Sequence, residues 1–381
     1  MDAGGFFSAD SHVNEPEATW AGIPEHLRAH GPHFIQDPPG KKGLYFGFDG
    51  HKLDAVGQTF VAGTGRDPAI VKDRVENFTW DKWRGPWDPE ARLEDMQRDG
   101  VEAEILYPSM ARNFYALSGE DTALQLAGIR SYNDWITTYC AALPGRLFAI
   151  GLVSVLDLDF AVEEMERVAR LGHKGALLPA EIPDGMSYAD PLFEPVWRAA
   201  ERLGLPLHFH ININQGSERE AYQIPLNAMI DMGRRSVRRA LTQPETLLTD
   251  LLFGLVLENH PGLRVVFAEY ELAWVLPFLY RFEGNAQRFP EEYPGLAHMT
   301  RLPSETIRDQ VFITFQNDPV GLAGAERLGL LDNCMWANDY PHGGATWPDS
   351  KEIVADQLKG FDAATARKLV WDNTARLYAI E

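Results

Sequence analysis

The chain has 381 residues, 45% of them hydrophobic, which is enough for one large α/β barrel or for two ordinary domains. Its 35 lysines and arginines face 55 aspartates and glutamates, and the resulting formal charge of −20 argues against a nucleic-acid partner or an anionic membrane surface. Cys140 and Cys334 cannot build a disulfide framework, no apolar run is long enough to span a bilayer, and Met1-Asp2-Ala3-Gly4-Gly5 lacks the features of a secretion signal. The expectation is a cytoplasmic protein whose partner is a small molecule.

Short apolar, β-branched or aromatic runs predict strands over 6–10, 103–107, 147–153, 175–178, 206–211, 265–268, 311–315 and 334–337. Between them, apolar residues at threes and fours predict helices over 89–99, 121–143, 160–171, 191–203, 244–258 and 363–373. Asp99-Gly100, Leu171-Gly172 and Leu203-Gly204 are stop signals before the next strand. Eight strands alternating with helices predict a parallel sheet closed into a (β/α)8 TIM barrel, one domain over 1–381. An open doubly wound sheet is the alternative.

Three segments exceed ordinary loops: 13–88, 212–243 and 283–303. Each leaves the C-terminal end of a strand, so each should wall the barrel mouth. The first is rich in Gly, Pro and Trp and reads as a lid-like insertion, with Asp49-Gly50 as a hairpin turn.

Chemistry gathers at the strand ends. Asp10 and His12 lie two apart, so an extended strand points both to one face. His210 closes Leu205-Pro206-Leu207-His208-Phe209-His210, and Asp339 closes Cys334-Met335-Trp336-Ala337-Asn338-Asp339. Closure brings the ends of strands one, five and eight together, and two imidazoles with two carboxylates suit a divalent cation, zinc first, manganese or iron next. Glu269 ends strand six, where a carboxylate can orient water, act as a base, ligate a second metal, or pair with Arg264 or Arg301. His342 is a ligand, a proton donor or a turn histidine. Glu15 offers a further carboxylate or holds a loop. His208 lies one layer below His210 as a packing group, and His173 is structural. Arg112 is placed to grip a substrate carboxylate. Trp274 and Trp347, like Trp80, Trp83 and Trp87, either stack on a ring-shaped substrate or pack loops on the rim. Arg234, Arg235, Arg238 and Arg239 form a basic helix face, solvated or between subunits.

Asp10-Ser11-His12-Val13-Asn14-Glu15-Pro16, the Leu207–His210 run, Phe267-Ala268-Glu269-Tyr270-Glu271-Leu272-Ala273-Trp274, and Asn338-Asp339-Tyr340-Pro341-His342 followed by Trp347-Pro348-Asp349-Ser350 resemble the amidohydrolase-related family. This branch of the amidohydrolase superfamily includes the aminocarboxymuconate-semialdehyde and resorcylate decarboxylases. The stretches 88–101 and 144–147 fit the same pattern, and the resemblance runs over about 7–377. It implies a single metal held by Asp10, His12, His210 and Asp339, with Asp339 both ligand and base. Two positions depart from relatives. The stretch Gly175-Ala176-Leu177-Leu178-Pro179 has no lysine for a carbamylated bridge, and Glu269 stands where the decarboxylases carry a catalytic histidine.

The leading expectation is a metal-dependent hydrolase of a small cyclic or aromatic, carboxylated compound, with Asp339, Glu269 and His342 as catalytic groups. Non-oxidative decarboxylation of an aromatic acid is the alternative. A two-metal iron or manganese oxygenase, using Glu269, His342 and Glu15, is a second alternative, and a binding protein on a retired barrel is a third. A homodimer or higher homo-oligomer is expected.

Overall fold

The structure is a computed structural model that describes residues 5–65, 67–183, 185–213, 228–292 and 298–380. Eight parallel strands form one sheet in the order β1 (Phe6–Val13), β5 (Val101–Pro108), β6 (Leu147–Leu152), β7 (Gly175–Leu178), β8 (Leu207–His210), β9 (Val265–Ala268), β10 (Val311–Phe315) and β11 (Cys334–Trp336). The last strand returns to the first through backbone bonds just beyond it. The Asp339 amide donates to the Asp10 carbonyl at 3.0 Å, and the His12 amide donates to the Tyr340 carbonyl at 2.7 Å. The architecture is the (β/α)8 TIM barrel, not the open sheet.

The strands β7, β8, β9 and β10 are buried along their whole length, as expected where helices cover one face of a parallel sheet and side chains fill the other. In β8 the alternation is visible in the contacts. Phe209 packs on Tyr188 and Phe267, while His208 and His210 both lie beside Tyr107. The helices begin and end on the residues that favour those positions. Asp88 accepts from the Glu90 and Ala91 amides before the helix Pro89–Asp99, and Gly100 closes it at φ 81°.

The insertion carries its own small antiparallel sheet, β2 (His33–Gln36), β3 (Leu44–Gly47) and β4 (Asp54–Ala55). Asp49-Gly50 lies in the connection from β3 to β4, in a longer loop than a two-residue turn, since Tyr45 pairs with Ala55. Trp20 and Phe48 of this segment meet Phe114, in the turn after β5, at ring separations of 5.2 and 4.8 Å. The insertion therefore shares the barrel's hydrophobic core.

Two expectations about the long segments need correction. The helix expected to start at Pro244 begins at Ala228 and runs through that proline to Phe253. Proline is favoured at a first helical turn, but within a helix it removes a single backbone bond, which the packing here tolerates. Part of the supposed loop 212–243 is thus helical, and 214–227 lies outside the described residues. Likewise the helix Val275–Arg288 carries into 283–303. Arg239 on the long helix reaches Asn212 and Glu181, whereas the side chains of Arg234 and Arg235 lie outside the described residues. The C-terminal helical segment is split by a π-helical turn, Lys368–Asp372. Among the described residues no helix is long and apolar enough to cross a membrane.

Candidate metal centre

The β1 strand does not deliver its ligands as a plain extended strand. Its register against β5 shifts between Ser8 and Ser11, where three steps on β1 match two on β5. This bulge turns Ser11 toward Asn338 and Glu104 and leaves Asp10 and His12 at the barrel axis. Asp339 lies just past β11 at φ 53°, and Glu269 just past β9 at φ 63°, both in the left-handed region that a non-glycine residue rarely adopts.

Six expected groups converge. His12 Nε2 lies 3.3 Å from Asp10 Oδ1 and 3.4 Å from Asp339 Oδ1. His210 Nε2 lies 3.3 Å from His12 Nε2, 3.7 Å from Asp10 Oδ1 and 3.2 Å from Glu269 Oε2. His342 completes the ring, its Nδ1 3.0 Å from Asp339 Oδ1 and its Nε2 3.0 Å from Ser109 Oγ, with its plane over His12. Ligand atoms of Asp10, His12, His210 and Glu269 lie within 4.8 Å of one another, as do those of His12, Glu269, Asp339 and His342. Glu269 is the member that faces outward, its side chain 27% exposed.

The partners of the ring nitrogens set which atoms face inward. His12 Nδ1 is 3.2 Å from the Pro108 carbonyl and His210 Nδ1 is 2.8 Å from the Ile211 carbonyl. A carbonyl can only accept, so each ring carries a proton on Nδ1 and turns Nε2 inward, the atom that a neutral ring offers as a metal ligand. Both carboxylate oxygens of Asp10 are buried without a hydrogen-bond donor. Two imidazole Nε2 atoms and the carboxylates of Asp10, Asp339 and Glu269 turned to one point fit a divalent cation.

The electrostatics agree. Burial, joined by the Asp10 charge, pushes Asp339 well above the carboxylate range. Burial and the charge of Asp339 do the same to Glu269. Burial opposes charge on Asp10, yet the His210 charge, with His12 beside it, holds it well below the usual range. His210 is drawn up to about 9 because Asp10 and Glu269 outweigh its burial. Burial, then the Arg112 charge, push His342 down to about 3, so it is neutral. Arg112, half-buried in the turn Ala111–Ala116, is therefore within electrostatic reach of the cluster.

Three expected site residues do other work. Glu15 is no second-metal ligand, because its two oxygens accept from the Met110 and Ala111 amides at 2.7 and 3.1 Å and hold the turn that carries Arg112. Trp274 does not face a substrate. It is 2% exposed and packs on Phe267 and Phe278, on the side of β9 away from the barrel axis. Trp347 packs against Tyr340 and donates its indole N–H to the Asp95 carbonyl, lining a separate cleft of about 350 Å³ with Trp83 and Arg74. His208 is the packing group it was expected to be, bonded to Tyr107 Oη at 2.5 Å and pushed down to about 3 by burial.

A family model described as Amidohydrolase matches residues 10–380. The chain belongs to the amidohydrolase family. This amidohydrolase is 28% identical over 309 residues to the gamma-resorcylate decarboxylase of Rhodococcus jostii (strain RHA1), covering 74% of this chain and 87% of that one. It is 26% identical over 186 residues to the 2-amino-3-carboxymuconate-6-semialdehyde decarboxylase of Dictyostelium discoideum; that match takes in 48% of this chain and spans about half the length of the relative, 47%. Among solved structures, an amidohydrolase from Mycobacterium avium subsp. paratuberculosis superposes with TM-score 0.75 at 20% identity, covering 99% of this chain and 98% of that one. The 5-carboxyvanillate decarboxylase of Novosphingobium aromaticivorans, solved with bound manganese, superposes with TM-score 0.69 at 17% identity, covering 99% and 97%. At these identities the structures testify to the shared barrel.

Sequence reasoning about this amidohydrolase misses the groups behind the ligands. Ser109, Asn338, Arg92 and Glu104 are polar, buried and bonded to the site's backbone or side chains. The one signal in the sequence is that Asn338 directly precedes Asp339.

Proposed function

We propose that this amidohydrolase is a metal-dependent, non-oxidative decarboxylase of an aromatic acid. The observation that carries the reading is the buried ring of Asp10, His12, His210 and Asp339, with Glu269 facing outward and the positive charge of Arg112 within reach. The decarboxylase names of the Rhodococcus and Dictyostelium relatives support it over the hydrolase expected first.

Asp10, His12, His210 and Asp339 would hold the ion. When bound, a divalent metal supplies positive charge that stabilises the negative charge developing on substrate oxygens. The manganese in the Novosphingobium enzyme favours that metal, with zinc the competitor its ligand types allow. Arg112 steers the carboxylated ring into the mouth. Asp339 gives a proton to the ring carbon that bears the carboxylate. The bond to the carboxylate then breaks, its electron pair restores the ring, and CO2 leaves. His342, neutral and donating from Nδ1, keeps Asp339 oriented, while Ser109 donates to its other nitrogen. Glu269, which burial favours in the protonated form, donates to a substrate oxygen. The insertion over 13–88 acts as a lid on one side of a single-domain barrel, and a homodimer or higher oligomer remains part of the reading.

One observation favours hydrolysis instead: Glu269 faces outward from a metal-type ring and could orient an attacking water. Manganese-loaded protein under nitrogen, offered hydroxybenzoates and carboxyvanillate in D2O, separates the two. Decarboxylation releases CO2 and leaves one deuterium on the vacated ring carbon. Absence of CO2 release, with turnover of lactones or amides, would overturn the decarboxylase reading.

A further inference from the structure

Beneath the ligand ring lies an ion pair that the chemistry above does not use. Arg92, on the helix Pro89–Asp99, and Glu104, on β5, have side chains 0% and 1% exposed, and Arg92 Nε donates to Glu104 Oε2 at 2.7 Å. Stability alone is a weak reason for such a pair, because well-packed apolar residues often serve a core as well or better.

The remaining bonds of the pair say more. Arg92 Nη1 donates to the His12 carbonyl at 2.6 Å. Glu104 Oε1 lies 3.1 Å from the Ser11 hydroxyl, which is also 2.6 Å from Asn338 Oδ1. The guanidinium sits 4.9 Å over the ring of Tyr340, whose carbonyl takes the His12 amide proton. One buried pair thus grips Ser11 and His12 on the first strand and Tyr340, just past the end of the last.

We propose that the Arg92–Glu104 pair is a positioning device for the metal centre, fixing the bulged end of β1 so that Asp10 and His12 converge with Asp339. The inference rests on the metal site, and not on the reaction it serves.

The test is Mn2+ titration of metal-stripped full-length protein, reading free Mn2+ by electron paramagnetic resonance, beside thermal unfolding of the stripped protein. R92K keeps the charge next to Glu104 but lacks the fork that reaches Glu104 and the His12 carbonyl together. R92M/E104Q removes both charges and spares the core an unpaired one. Each variant should fold and bind Mn2+ about 10- to 100-fold more weakly than wild type, the range for groups that orient metal ligands. Wild-type Mn2+ affinity in either folded variant overturns the proposal. If R92M/E104Q does not fold, R92K alone decides. A wild type that binds no Mn2+ overturns the metal reading itself, and this inference with it.

Discussion

His12 Nε2 and His210 Nε2 stand 3.3 Å apart across the barrel axis, although 198 positions separate the two residues in the chain. Each ring's other nitrogen faces a backbone carbonyl, which fixes the ring and leaves Nε2 as the atom turned inward. Such an arrangement suits a cation held between the two rings.

Removal of either ring should therefore abolish metal binding and turnover together. His12→Ala or His210→Ala is expected to leave less than about a tenth of the wild-type manganese per chain, measured by elemental analysis after dialysis. Retention of full metal with lost activity would make that histidine an acid or base instead of a ligand.

Glu269→Gln should divide binding from chemistry. The amide keeps the size of the side chain but is a far weaker acid than the carboxyl that donates to the substrate oxygen, so turnover should fall about 10²- to 10⁴-fold while one metal per chain is retained. A parallel loss of metal would place Glu269 among the ligands and revive a second ion.

Beside the larger shares of buried His208 and of His342, part of the acid stability should trace to His173, far from the site. It is buried beside Thr137 at 2.7 Å, and burial, with the Arg167 charge next, pushes it down to about 4. The unfolded chain takes up this proton near pH 6.5 and the folded chain does not until about pH 4. Its contribution is intact above pH 6.5 and fades as the pH falls through that window, on the order of 3 kcal/mol in all. His173→Gln should flatten the fall between pH 6.5 and 4 in urea unfolding; an unchanged slope there would assign it to other groups.

The insertion should prove inseparable from the barrel. Phe46 is fully buried and meets Trp20 and Phe48, which in turn meet Phe114. Phe46→Ala is expected to cost about 3–5 kcal/mol in urea unfolding. A cost under about 1 kcal/mol would show a cover detachable from the barrel.

The interior strands were legible because both their faces are covered, so 175–178, 265–268 and, apart from Thr314, 311–315 read as apolar runs. The ligands were legible because they end such runs. What escaped was direction. Trp274 follows a strand end as a substrate-facing residue would, yet it packs on the outer side of β9. Arg92 looks like any charge on an amphipathic helix, and only folding shows that it points under the barrel to Glu104. The β1 bulge has no one-dimensional mark, since it is a mismatch between two strands. Pro244 imitated a helix start because proline's fixed φ suits that position as well as the one it occupies.

The join between the last and first strands has a consequence of its own. Seven neighbouring pairs of barrel strands are held by ladders, but the eighth seam depends on bonds made by the backbones of Asp10, His12, Asp339 and Tyr340. Three of these four are the residues whose side chains would meet on the ion, so the ion would serve as the clasp of a necklace. Hydrogen exchange at the His12 and Asp339 amides should then speed up when the metal is withdrawn, well before any interior strand loosens, and those two protons become a built-in gauge of whether the ring is closed.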